Sequence, residues 1–325
     1  MYPYVYFIFT GRIDYVIPSV PDISTLGGEI SRVLRFPEPG INWSTFNPSI
    51  CRGGDGSIGM TIRSSNYVLN PANGRLSVST GKHVVSRLFF CYVDEKTLEL
   101  GELIELDIES PVELKRGVED ARLFWRDGGW QVTAVILEKH TPYARLWRFS
   151  LDLENRVARF IEAMEGPDPK RVEKNWIAVA DGTSEHFDYI YSSTAIYKDG
   201  EVIGIPDAPY GHSLRGGSSL ILDEDGESYI SVVHRTYGHK IYGYNETTFS
   251  VGYDYLRYYT HQFARWDLTG KLIGLTDEFV FKENGIEYAA GLVRIGDDYI
   301  ISFGRWDVST WLAKLPVSSV VFNEV

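Results

Sequence analysis

A chain of 325 residues with a formal net charge of −12 lacks the basic excess that phosphate neutralisation requires, which argues against a nonspecific nucleic-acid surface. Two cysteines, Cys51 and Cys91, are too few for a disulfide framework, and the seven histidines show no zinc-type spacing. Hydrophobic residues at 44% and aromatics at 14% supply a large core without any long amphipathic helix, which points to an all-β chain.

The first run, MYPYVYFIFTGR, is too short to span a bilayer and lacks a basic n-region and a small-residue cleavage site. It is expected to be a strand that pairs with the last repeat and closes a ring. With no membrane segment and no disulfides, the expected location is cytoplasmic. Residues 1–40 read as this opening strand and a loop punctuated by Pro18, Pro21, Pro37 and Pro39.

From residue 41 a hairpin pattern recurs: an apolar run, a Gly/Asp turn, a second apolar run. The first copy is NPSICRGGDGSIGMTIR (47–63), followed by SRLFFCYVD (86–94) as an outer strand. The second is DARLFWRDGGWQVTAVI (120–136), with ARLWRFSLDL (144–153) outside it and a charged connector over 153–173. The third is KNWIAVADGTSEHFDYIYSS (174–193), in a unit that runs to about Pro206. The fourth is SSLILDEDGESYISVVH (218–234). The Tyr- and Gly-rich stretch 236–263 then reads as a long loop over one face, where binding residues tend to sit. Strand periodicity returns over 261–281, and the fifth copy is GLVRIGDDYIISFG (291–304). Five copies in 325 residues leave about 65 per unit, which predicts a five-bladed β-propeller forming one domain over 1–325.

The hairpin ends carry polar residues that do not suit a sheet interior: Asn47, Ser49, Arg63, Glu119, Asp120, Arg122, Lys174, Asn175, His234, Glu287 and Asp307. If each hairpin holds the innermost strand of its blade, these residues converge on the axis. Carboxylates there supply acid and base for acetal chemistry, and Arg and Lys hold phosphate or carboxylate. Each also has a plainer reading. Asn47 and Asn175 suit turn caps, Arg122 suits an ion pair with Glu119, His234 suits a core position, and Asp307 suits a turn. Asp120 differs, because in GVEDARLF two adjacent acids run directly into an apolar strand, where a charge is costly unless paired or used.

These pieces in this order resemble glycoside hydrolase family 130, the five-bladed mannoside phosphorylases and mannosidases. The matching motifs are FNPSI (46–50), Arg63, GVEDARL (117–123), EKNW (173–176), VVH (232–234), GIEYAAGL (285–292) and ISFGRWD (301–307). The resemblance implies that Asp120 is the proton donor, acting through a substrate hydroxyl. It implies that Asp307 binds sugar, and that Asn47, Ser49 and Arg63 lie near the sugar and the phosphate or water. Two departures weaken the implied phosphate site. DYIYSSTAIY (188–197) lacks the arginine of the phosphorylases, and RGGSSLI (215–221) replaces their GxPPI run.

Three functions follow as expectations. The first is cleavage, hydrolytic or phosphorolytic, of a mannoside-like oligosaccharide or sugar phosphate, with no cofactor and no metal. The second is glycosyl transfer from a sugar nucleotide or sugar phosphate, as in the related glycosyltransferase family 108. The third is a non-catalytic glycan-binding propeller. No membrane or nucleic-acid partner is expected, and the sequence leaves the oligomeric state open.

Overall fold

The computed structural model describes residues 20–32, 43–69, 76–79, 81, 83–141, 143–168, 172, 174–180, 184–205, 214–245 and 250–325, with backbone alone at 32, 76, 238–245 and 250–257. Apart from the short 3-10 turns Ile23–Leu26 and Val317–Ser319, the regular structure among these residues is strand, so the chain is all-β. No helix among them is long and apolar enough to cross a membrane.

The Gly/Asp turns act as their composition dictates. Asp127–Gly128 and Asp199–Gly200 each form a two-residue connection with both φ values positive (55° and 76°; 50° and 88°). That is the type I′ arrangement, whose twist matches that of the flanking strands. All five predicted hairpins are present as antiparallel pairs.

Ser44–Arg52, Ile58–Ser65, Ser86–Tyr92 and Ile104–Glu109 follow one another as an antiparallel meander, and so do Leu114–Arg126, Gly129–Glu138, Arg145–Asp152 and Val157–Met164. The outer strands of these two meanders pair in parallel, Val157 opposite Asp107, which joins them into one eight-stranded sheet. A third meander runs Ile177–Ala178, Tyr189–Ser192, Ala195–Lys198, Glu201–Gly204. In the next sheet Arg215–Gly216 and Ile221–Leu222 pair with successive parts of one edge of Ser228–Asn245, whose other edge pairs with Ser250–Asp267, followed by Leu272–Leu275 and Asn323–Glu324. The last contains Glu287–Ile295, Asp298–Arg305 and Ser309–Pro316, and Glu29–Arg32 pairs antiparallel with its outer strand. The closing strand expected within residues 1–12 lies outside the described residues.

Two expectations are corrected. The connector 153–173 contains the strand Val157–Met164, in which the more buried Ala158, Phe160, Glu162 and Met164 alternate with exposed residues, as suits a half-buried outer strand. The stretch 236–263 is no irregular loop. Its backbone continues the hairpin in unbroken register from Ser228 opposite Asp267 to Asn245 opposite Ser250. Tyr, Val and Ile favour that conformation, and Gly238, Gly243 and Gly252 hid the alternation in the sequence. Beyond Tyr259 this arm has no second strand partner among the described residues.

Aromatic side chains fill the space between neighbouring sheets, with Phe90, Trp130, Trp147 and Phe149 in one cluster and Phe263, Phe279, Phe281 and Phe303 in another. The innermost strands are tied to one another by serine hydroxyls and close backbone contact. Ser49 Oγ donates to Ala290 O (2.7 Å) and accepts from Leu123 N (2.9 Å), while Ser219 Oγ donates to Leu123 O (3.0 Å). A Cβ at Gly291 would lie 2.1 Å from Ile50 N, and one at Gly216 2.1 Å from Asn175 O. Glycine at these two places is a condition of the close approach.

Candidate active site

Three inner hairpins begin on a residue in the left-handed region: Asn47 (φ 49°), Asp120 (φ 50°) and Asn175 (φ 69°). At the first two the register slips, between Phe46 and Ser49 and between Glu119 and Arg122, as a bulge requires. Asn and Asp tolerate this conformation best among residues with a Cβ, so the local backbone explains the residue type. The bulge also turns the polar side chain out of the sheet's alternation.

Asp120 stands at the centre of one cluster. Its Oδ1 accepts from Asn47 Nδ2 (2.8 Å) and Arg63 Nη1 (3.0 Å). Arg63 also pairs with Glu119 (Nη2–Oε1 3.3 Å), donates Nε to Ser86 Oγ (3.1 Å) and lies over the rings of Phe46 and Tyr67. Tyr67 OH donates to Asp307 Oδ2 (2.8 Å), which brings in the residue from the far end of the sequence. Arg63 is nearly enclosed, with 5% of its side chain exposed, whereas Glu119 (23%) and Asp120 (25%) keep a face open. Asn47, Arg63, Glu119, Asp120 and Asp307 are thus brought together.

The two aspartates are driven in opposite directions. Burial raises the Asp120 carboxyl, but the Arg63 charge, the Asn47 and Arg63 hydrogen bonds and the Lys174 charge outweigh it and hold it below the ordinary range. Burial also raises Asp307. There the Arg63 charge and the Tyr67 hydrogen bond oppose the rise, Asp120 and Glu119 add to it, and the carboxyl is pushed up to about 6. One acid is held ionised while its neighbour is left able to carry a proton near neutral pH, the division of labour that acid–base sites need.

A second cluster adjoins the first and is closed. Arg122, fully buried, donates Nε to Gly217 O (2.7 Å) and Nη2 to Asn175 Oδ1 (2.9 Å), Gly216 O (3.3 Å) and the Tyr288 hydroxyl. It ties three sheets together at their inner strands. The expected pairing of Arg122 with Glu119 is absent from its contacts, because the bulge turns successive side chains to different partners. His234 is 3% exposed and packs its ring on Tyr259 and, edge-on, on Tyr288. Burial, then His261, Arg122, Arg215 and Lys174, hold it well below the ordinary histidine range, so it is neutral. Lys174 is exposed and its charge reaches both Asp120 and His234.

Two predicted ligands of sugar face inward instead. Ser49 is fully buried with its hydroxyl committed to Ala290 and Leu123. Glu287 is fully buried and accepts the backbone N–H groups of Phe281 (2.8 Å), Lys282 (3.1 Å) and Glu283 (3.2 Å). Three residues that sequence reasoning passed over join the clusters: Tyr67, Tyr288 and Arg215. Tyr288 sits in the quoted GIEYAAGL motif, where its place at a hairpin start was the available signal. Arg215 lines a small cleft with Asn175, Ser192 and Ser193, beside the stretch 188–197 that carries no arginine.

The architecture matches solved structures over most of the chain. β-1,2-Mannobiose phosphorylase from Listeria innocua aligns with a TM-score of 0.58 at 14% identity, covering 89% of this chain and 95% of that one. A structure described with the family 130 mannoside phosphorylases, said to contain hydrolases targeting β-1,2 mannosidic linkages in Candida mannan, gives 0.55 at 15% identity, covering 86% of both chains. A glycosyl hydrolase from Bacteroides ovatus gives 0.54 at 15% identity, covering 83% of both. No protein-family model and no curated protein sequence matches the chain. The chain therefore has the fold of the glycoside hydrolase family 130 proteins.

Proposed function

We propose that this chain is a single-domain, five-bladed propeller that cleaves or transfers a mannoside-like glycosyl group, with Asp120 as the catalytic acid. The five blades are the two meanders of the eight-stranded sheet and the three sheets that contain Ile177–Ala178, Ser228–Asn245 and Glu287–Ile295. The reading rests on one observation, the Arg63-centred cluster that joins Asp120, Glu119 and Asn47 directly and Asp307 through Tyr67. It combines an ionisable pair of carboxyls, a fixed cation and an open face at the inner ends of the hairpins. The phosphorylase and hydrolase neighbours of the same fold support a mannoside as substrate.

In this reading the sugar hydroxyls bind Asn47, Glu119 and Asp307. Asp120 is ionised before substrate arrives, so substrate must weaken its contact with Arg63 before Asp120 takes up a proton. That proton passes to a ring hydroxyl, whose own proton moves to the glycosidic oxygen as the bond to C1 breaks. As that bond breaks, water bonds to C1 and releases its proton to solvent, replacing the one that Asp120 took up from solvent, or a phosphate oxygen bonds to C1 in water's place. The third hairpin ends on Ser192 and Ser193 without an arginine, so water is the expected attacker. The second reading, transfer from a sugar nucleotide or phosphorolysis, is favoured by the cationic surroundings of His234, made by Arg122, Arg215 and Lys174.

The test is a turnover and binding screen with mannosides, mannose 1-phosphate and GDP-mannose, each with and without phosphate. Phosphate-independent release of mannose is the expected result. Many-fold acceleration by phosphate with formation of sugar 1-phosphate makes the chain a phosphorylase. Consumption of GDP-mannose makes it a transferase, and binding without turnover leaves only a glycan-binding propeller.

A further inference from the structure

Glu287 has no access to ligand, yet it is tied to the site through a short relay. It begins the strand Glu287–Ile295 and lies opposite Arg305, two residues before Asp307. Its carboxylate gathers the N–H groups of three successive residues, Phe281, Lys282 and Glu283, and so fixes the turn that carries Glu283. The Glu283 carboxylate in turn accepts from Trp306 Nε1 (2.8 Å) and pairs with Arg305. The same turn supplies Ile286 O to Trp306 N (2.7 Å) and Gly285 O to Tyr259 N (2.9 Å). Gly285 lies flat against the Trp306 indole, where a Cβ would come within 2.6 Å of the ring.

What this turn holds needs holding. Trp306 and Asp307 are consecutive non-glycine residues in the left-handed region, at φ 54° and 52°. Such a pair persists only when its surroundings over-determine it. Among the described residues Asp307 receives a side-chain hydrogen bond from Tyr67, and the two residues before it are steadied by the clamp on Arg305 and Trp306.

We propose that Glu287 is a positioning residue for Asp307, acting through the 281–285 turn and Glu283 rather than by touching sugar. The proposal concerns the site described above, and its value for catalysis rests on Asp307 belonging to that site. The arrangement of the turn itself does not depend on that reading. It also accounts for a fully buried acid at a hairpin start that the chemistry of the open cluster leaves unused.

The test is the titration of Asp307, followed through its side-chain carboxyl by NMR in the full chain, in wild type and in Glu287→Gln. Tyr67, Arg63, Asp120 and Glu119 are the charged and titratable groups that face Asp307, and none is altered by the substitution. Glutamine keeps the size but offers one acceptor and a competing N–H₂, so it cannot gather three donors. With the clamp loosened, Asp307 should become more solvated and its midpoint should fall from about 6 toward the ordinary aspartate value. Trp306 fluorescence should shift in parallel. Activity on whichever glycoside the chain turns over should drop roughly 10- to 100-fold in kcat/KM through misplacement alone. If Glu287→Gln does not fold, Glu283→Gln breaks the next link at a more exposed position and should move the titration in the same direction by less. An Asp307 midpoint unchanged in a folded variant overturns the proposal. A moved midpoint in a chain without glycoside turnover keeps the positioning role and removes the proposed function.

Discussion

Two adjoining clusters are each built around a buried arginine, and they differ in what they leave open. Around Arg63 the acids Glu119 and Asp120 keep about a quarter of their side chains open. Around Arg122 the arginine is fully buried and spends its donors on Gly216, Gly217, Asn175 and Tyr288. Both arginines are held by neighbouring hairpins, and Asp120 and Asn175 both sit at left-handed hairpin starts. Position in the repeat therefore does not separate chemistry from construction. What separates them is the partner: carboxylates with a free face on one side, backbone carbonyls and an amide on the other. A guanidinium on backbone carbonyls is a strut, whereas one on two adjacent, half-open carboxylates biases their protonation.

The strongest way to break this contrast is Asp120→Asn. The change is nearly isosteric and keeps an acceptor for Arg63, but it cannot deliver a proton. Turnover is expected to fall by about 10²–10⁴-fold, the usual contribution of a positioned acid, while the chain stays folded. Full activity with a normal melting curve would take Asp120 out of the mechanism and leave the open cluster a structural one.

The matching change on the closed side is Arg122→Met, which preserves the apolar stem and removes every donor. Gly216 O and Gly217 O would lose a partner in an enclosed setting, while Asn175 Oδ1 keeps the Tyr288 hydroxyl (3.3 Å). At about 1–3 kcal/mol for each buried group left unsatisfied, a loss of about 2 kcal/mol or more in unfolding free energy is expected from denaturant titration. A variant that melts normally but has lost turnover would place Arg122 with the chemistry instead.

The contrast was only half legible in the sequence. The hairpins were readable because Gly/Asp turns interrupt β-rich runs at Gly53–Ser57, Asp127–Gly128 and Gly296–Asp297, and all of them fold as such. Asp120 stood out because adjacent charges beside an apolar strand need a reason. Nothing in the letters distinguishes Arg63 from Arg122, since the bulge that selects their partners is a backbone event. Glu287 looked like a sugar ligand for the same reason. Tyr67 was invisible because its partner Asp307 lies 240 positions away. The arm over 236–263 was misread because three glycines interrupt a run that is otherwise rich in strand formers.

Within the open cluster the two aspartates should respond to amide substitution with opposite signs of stability. Asp307 is raised from 3.8 to about 6, so between those values the folded chain binds the proton that the unfolded chain has released. Stability from this group is thus present at low pH and declines as pH rises toward 6. At neutral pH the buried carboxylate is a cost, and Asp307→Asn should stabilise by up to about 3 kcal/mol there and by nothing near pH 3. Asp120 is lowered, so its contribution is present above the ordinary aspartate range and fades as pH falls through its folded value. Asp120→Asn should therefore cost stability at pH 7 and cost little in acid. Melting curves of both variants from pH 3 to pH 8 give the comparison. The same sign for both would mean that Arg63 does not divide them.

The smallest effect on the fold is expected from the arm, and its size tests whether the open cluster extends beyond the sheet. Tyr237 and Tyr258 stack at the arm's base (5.0 Å between centroids), and Tyr237 OH donates to Glu278, which also accepts from Thr260 Oγ1 (2.7 Å). Tyr259 packs on His234 just below. These contacts anchor the arm without involving anything beyond the Gly238–Arg257 pair, and an unsupported two-stranded ribbon contributes little stability of its own. Replacing residues 239–256 by a short Gly-Ser turn should then change unfolding free energy by less than about 1 kcal/mol, because the strands it shortens pair only with each other among the described residues. The sequence of the arm is rich in tyrosine, a residue type that suits stacking on sugar rings, so the arm tests the proposed glycan reading. The trimmed chain should accordingly lose affinity for longer glycans while keeping its affinity for a monosaccharide. Equal losses for both would show that the arm shapes the pocket itself, and no loss for either would leave it an extension of the sheet with no part in binding.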